Sequence, residues 1–319
     1  YLIAYGSLIT VLRRQPAALI EAVHLTLQRS GAPASGAVFL LLNYVFGHLW
    51  RWDEEGAVVR CAVHAIRLRA AQEGWLRALE PRALPERLIV AYLRMLPGGV
   101  GWLQAILGVP IARIVEAVDR SDGDEGSDLG KASHQLFLQC ETILSSAAAA
   151  AAAAPRGLRT LCRRLLHLLL RVRRRGDAEL PPPIQLPAEI IVALLLAPAV
   201  ACPESYSVLL PSAISRAARH QLGRVAQALT LSVVPTSTRV TATPAAGGEP
   251  AMPLGPDSSE GLFRLARLCA ARVVRGSGGI EEPQPSKSAH SNPVLPAPRS
   301  VSLALVPEER AAEEVADMA

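Results

Sequence analysis

Over most of the first 234 positions apolar residues recur at intervals of three and four, and short Pro and Gly clusters interrupt them. That is the pattern of consecutive amphipathic helices. Residues 2–13 and 16–29 read as two helices across a tight turn, with Pro16 at a first helical position. After the GAPASG break at 31–36, residues 37–50 resume as an almost wholly apolar helix, and WDEEG at 52–56 reads as a polar turn. Val59, Val63, Ile66 and Ala70 then form a core stripe, with Arg60, His64 and Arg67 on the other side. Pro81 and Pro85 precede a helix at 85–96, and PGG at 97–99 precedes another at 100–108. Pro110 starts one more, with Ile111, Ile114, Val115 and Val118 as its stripe.

An acidic loop follows at 119–128, then a helix at 131–146 that runs into eight alanines at 147–154. Alanines bury little, so the run reads as a low-complexity insertion. The best-formed helix is 155–176. Leu158, Leu161, Leu165, Leu168, Leu169 and Val172 share one face, and Arg156, Arg159, Arg163, His167, Arg171 and Arg174 the opposite one. Pro155 suits its first position and Gly176 the residue past its end. PPP at 181–183 closes this unit, and 187–201 and 204–232 read as two or three more helices. From Pro235 the composition turns to Pro, Ser, Thr, Gly and Ala, the signature of a largely disordered tail over 235–319. Within it, 258–275 is an amphipathic helix with Leu262, Leu265, Leu268 and Cys269 on one side, and 307–318 forms a short acidic helix.

No segment of the 1–234 domain calls for a strand, so the expected class is all-α. Short connections favour antiparallel neighbours. Helix-turn-helix pairs such as 2–29 and the Pro-started helix at 110–119 resemble the HEAT/armadillo class of helical-repeat proteins. The resemblance implies an α-solenoid and a scaffold that binds other proteins. An irregular helical bundle is the alternative, because no block repeats at the period of about 40 residues that such solenoids show.

Composition changes this picture little. Half the residues are hydrophobic and only 4% aromatic, so the core is Leu, Ala, Val and Ile. Thirty-one Arg stand against two Lys in a chain rich in Ala, Gly and Pro, a pattern we read as GC-rich coding bias. The net charge of +5 is a mild surplus that does not by itself call for nucleic acid. Five scattered cysteines without a CxxC point to reduced, buried thiols and an intracellular, cytoplasmic setting. The chain opens on Tyr1, and we expect a fragment or processed form.

Candidate chemistry is sparse. An EF-hand loop needs Gly at its sixth position and Glu at its twelfth. The 119–128 loop fails at both, counted from Asp119 or from Asp122. Cys61 with His64, and Cys162 with His167, are half-sites for zinc with no second pair nearby. Nucleophile elbow, P-loop, dinucleotide fingerprint, HExxH and paired carboxylates are all missing, so no catalytic, cofactor or metal residue is assigned. A membrane span needs about 20 apolar residues. The uncharged runs 190–202 and 35–50 fall short of that.

The expectation is therefore a non-enzymatic helical scaffold or complex subunit that binds other proteins bearing acidic segments. Arg156, Arg159, Arg163, Arg171 and Arg174 are the candidate contacts for an anionic partner. Leu262, Leu265 and Leu268 are those of the tail helix for a partner groove. The alternative is a peripheral membrane protein whose helix 156–175 lies on anionic lipid. Nucleic acid is set aside, since 156–175 has no aromatic interleaving.

Overall fold

A computed structural model describes residues 2–47, 52–120, 129–174, 180–208, 214–233 and 256–276. Helices account for most of them, and no strand occurs among the described residues. The chain is all-α. Helices α1 (Leu2–Arg14) and α2 (Pro16–Ser30) meet at Gln15, and Gly31 ends α2 in the left-handed conformation. Helix α3 (Ala34–Leu40) passes into a π turn at Leu41–Val45. Next come α4 (Trp52–Glu73), α5 (Leu84–Arg94), α6 (Gly99–Arg120), α7 (Leu129–Ala149) and α8 (Arg156–Arg173). Helix α9 (Gln185–Ile191) continues through a π turn at Val192–Leu196 into α10 (Ala197–Ala201). Helices α11 (Arg216–Val233) and α12 (Pro256–Arg275) complete the described chain.

Helices adjacent in sequence pack together in α6 on α7 and α10 on α11, whereas α2 packs chiefly on α4, across α3, and only lightly on α1. Other contacts span long stretches of chain. Helix α4 packs on α8, and α12 packs most extensively on α7 while also touching α8, α9 and α11. This connectivity fits the irregular bundle rather than a stack in which each unit meets only its neighbours.

Three local expectations are corrected. WDEEG is the first turn of α4, and Glu55 faces inward with 9% of its surface exposed. Glu55 there accepts a buried hydrogen bond from the Tyr92 hydroxyl and marks no turn. Helix α6 runs unbroken through Pro110. An interior proline costs about 3 kcal/mol. Buried Trp102, Leu103, Ile106, Leu107, Ile111 and Ile114 form one stripe across it, each worth about 1.5–3 kcal/mol of burial, so packing wins. Reunited, α6 is the one described helix long and apolar enough to cross a bilayer by length and composition.

The third correction concerns the alanines. Ala147, Ala148, Ala151 and Ala154 are buried. Trp102 Nε1 donates to the Ala150 carbonyl at 3.0 Å, and Arg272 Nη1 to that of Ala148 at 3.3 Å. Side chains this small let α12 lie close on α7. Half of the run therefore belongs to the core, while Ala149, Ala152 and Ala153 stay exposed.

The expected start at Pro155 shifts by one, with Pro155 the N-cap and Arg156 the first helical residue, and the helix ends at Arg173, two residues earlier than expected. Gly176, the acidic residues 121–128, the tracts at 234–255 and 277–300, and the acidic helix expected at 307–318 lie outside the described residues.

Candidate functional site

Helix α8 buries Leu158, Leu161, Cys162, Leu165 and Leu169 in the core and leaves its arginines on the far side. The α12 stripe is wider than the leucines suggested. Leu262, Ala266, Cys269, Ala270 and Val273 are all buried, in a chain of i, i+3 and i+4 steps. The two helices singled out by sequence meet each other. Leu262 is fully buried, Leu265 is half-buried against the core, and Leu268 is 44% exposed.

Arg163 holds the junction. Its Nε donates to the Val274 carbonyl at 2.7 Å and its Nη2 to that of Arg275 at 2.9 Å. These are two of the carbonyls that a helix end leaves without partners, and a cation suits that end of the dipole. The next residue, Gly276, adopts φ +58° and bonds back to the Arg272 carbonyl at 3.0 Å. A Cβ there would lie 3.0 Å from Arg163 and 3.1 Å from Arg159, so the close approach as well as the backbone favours glycine. Arg159 and Arg163 are thus brought to the end of α12. Arg171 and Arg174 remain exposed and make no ion pair among the described residues; Arg156 is exposed as well.

Between α8 and α12 lies an open groove of about 510 Å³. Leu166 and Ile184 form one wall; Leu268, Ala271 and Val274 form the other. Arg264, Arg267 and Arg275 complete the lining, which includes no carboxylate. Arg264 pairs with Glu260 at 2.9 Å, and the Arg267 guanidinium sits 5.4 Å over the Phe263 ring. The groove offers apolar floor and positive charge, with nothing that could move a proton or attack a bond.

Sequence reasoning missed Arg264, Arg267, Arg275, Leu166 and Ile184. On α12 the residues 264, 267, 268, 271 and 275 fall on one helical face beside the buried one. A second stripe next to the first was the available signal.

No family model matches the chain, and no curated protein matches it.

Beneath the N-terminus of α8 is a buried polar pair. The Tyr92 hydroxyl of α5 donates to Glu55 Oε1 of α4 at 3.1 Å, and both lie over Gly157. Burial pushes the Tyr92 phenol far above its ordinary value, and the Glu55 carboxyl raises it further, so it keeps its proton and donates. A Cβ on Gly157 would fall 2.0 Å from each oxygen. The pair locks three helices together. Both side chains are buried among these helices, and the pair reads as architecture.

The half-sites for zinc separate. Cys61 Sγ faces the Pro16 carbonyl at 3.7 Å, while His64 Nε2 meets Glu21 at 3.0 Å. Cys162 is buried and His167 exposed. Among the described residues no three His, Cys, Asp or Glu side chains gather as a ligand set. Burial pushes the thiols of Cys61, Cys140 and Cys269 up to about 12 and raises that of Cys162 further, which removes them as nucleophiles.

Proposed function

We propose that this protein is a non-enzymatic helical scaffold that receives an acidic, partly apolar segment of another protein in the α8–α12 groove. The observation supporting this is the lining itself, in which three arginines border the apolar walls of Leu166, Ile184 and the exposed Leu268 without a carboxylate. An occupant that brings its own carboxylates would satisfy that rim, and its apolar side chains would cover Leu268 and Leu166. Arg163 shapes the groove's end by holding α12, with Arg159 beside it, and Leu262 and Leu265 anchor that helix to the body. Arg156, Arg171 and Arg174 extend positive charge along α8 and steer an acidic partner to it. Five cysteines outside any disulfide, four of them buried, suit an intracellular complex subunit.

The test is partner recovery by affinity purification of the full chain beside its Leu268→Glu and Arg267→Glu variants. A defined set of proteins lost from both variants, at unchanged melting temperature, supports the groove. Identical recovery from all three refutes it. Flotation with anionic vesicles serves as the control for the other reading. Salt-sensitive capture by lipid that Arg171→Glu and Arg174→Glu abolish, with no protein partner lost, would move the function to a membrane surface.

A further inference from the structure

We infer that the groove is occupied in cis by this chain's own C-terminal acidic stretch, residues 301–317. The inference rests on reading the groove as a receptor for acidic segments, and it names one such segment.

The groove requires apolar side chains for Leu166, Ile184, Leu268 and Val274, and carboxylates for Arg267 and Arg275. The chain contains two stretches of dense negative charge. DRSDGDEGSD at 119–128 has no apolar residue to fill the floor. VSLALVPEERAAEEVAD at 301–317 has both parts, Val301, Leu303, Leu305 and Val306 followed by Glu308, Glu309, Glu313, Glu314 and Asp317.

The spacing also matches. Arg267 and Arg275 stand eight residues apart on α12, about 12 Å at the helical rise. Glu309, Glu313 and Asp317 cover the same eight residues, so on a helix they would present carboxylates over the same 12 Å. Connection is possible as well. The chain leaves α12 at Arg275, itself in the groove lining, and residues 276–300 can reach about 80–90 Å when extended. Return to a groove roughly 16 Å long is well within that reach.

A tethered segment competes at an effective concentration near 1 mM. If the same sequence binds in trans at about 100 µM, the tail weakens it about tenfold. The probe is a fluorescein-labelled synthetic peptide of residues 299–319, read by fluorescence anisotropy. It is titrated with the full chain and with a variant carrying Glu308→Gln, Glu309→Gln, Glu313→Gln, Glu314→Gln and Asp317→Asn. We expect the neutralised variant to bind the peptide at least tenfold more tightly, and Arg267→Glu with Arg275→Glu in that background to abolish binding. Equal affinity of the two chains, lost on arginine reversal, overturns the cis occupant and leaves the groove reading standing. Failure of both chains to bind, or binding that arginine reversal does not weaken, overturns both. Circular dichroism and the melting temperature establish that each variant is folded.

Discussion

Gly157→Ala is the substitution whose outcome depends most on the described packing, because two readings of that glycine predict opposite signs. Gly157 lies in the first turn of α8. If it were a surface filler in a compositionally biased chain, alanine would favour the helix by about 0.5–1 kcal/mol. In the structure the added methyl meets Glu55 Oε1 and Tyr92 Oη at 2.0 Å and Glu55 Cδ at 2.9 Å. Neither group can swing away freely, since both are buried among α4, α5 and α8. Forcing a methyl into a packed site costs about 1–3 kcal/mol. Parting the Tyr92–Glu55 hydrogen bond leaves a buried carboxyl without its donor, about 1–3 kcal/mol more. Less the helix gain, we expect a net loss of about 3 kcal/mol, a large share of the 5–15 kcal/mol that holds a typical domain together. Urea denaturation of the full chain, followed by far-UV circular dichroism, measures it. A neutral or stabilising result would refute the close approach. Combining the change with Tyr92→Phe adds a second check: both disturb one contact, so their costs should fall short of additive by about 1 kcal/mol or more.

Other expectations follow from the same geometry. Arg163→Ala removes two charged donors from the end of α12. The guanidinium is exposed, so we expect a modest local loss of about 1 kcal/mol, seen as roughly five- to tenfold faster amide exchange over 264–274 and little change elsewhere. Burial raises the Glu189 carboxyl from 4.5 to about 7, against a smaller opposing bond from Gln185. The folded state therefore binds the proton more tightly than the unfolded one, and stability should fall as pH rises from about 4.5 to 7 and level off above. The full effect is about 3 kcal/mol. Glu189→Gln should flatten that slope and stabilise the protein at pH 8, as read by melting temperature. Native alkylation with iodoacetamide at pH 8 should modify Cys202 first, leaving Cys61, Cys140, Cys162 and Cys269 protected until urea unfolds the chain; peptide mass mapping decides this.

What was legible in the sequence was periodic. The α8 stripe, Pro85 in the first turn of α5 and the helix at 258–275 follow from spacing that needs no partner to interpret. Residues whose meaning lies in a distant neighbour were misread. Pro110 and the eight alanines look like interruptions until α11 and α12 are placed beside them, and Glu55 looks like a turn residue until Tyr92 is. The leucines of α12 suggested an outward-facing helix because a buried stripe and a docking stripe have the same period. Cys269 and the small Ala266 and Ala270 beside Leu262 were the local hint of close internal packing. The groove was illegible for a different reason. It belongs to two helices about a hundred residues apart, and neither half shows that the other exists.

The seating of α12 on α7 also sets an order of events during synthesis. Helix α7 is complete at Ala149, but the helix that covers it begins only at Pro256. At about 5–20 residues per second, the ribosome leaves the alanine wall of α7 uncovered for several seconds. A message that stopped short of residue 256 would therefore yield a body that cannot close and exposes a sticky flank, material for chaperones and proteases rather than a tailless version of the working protein.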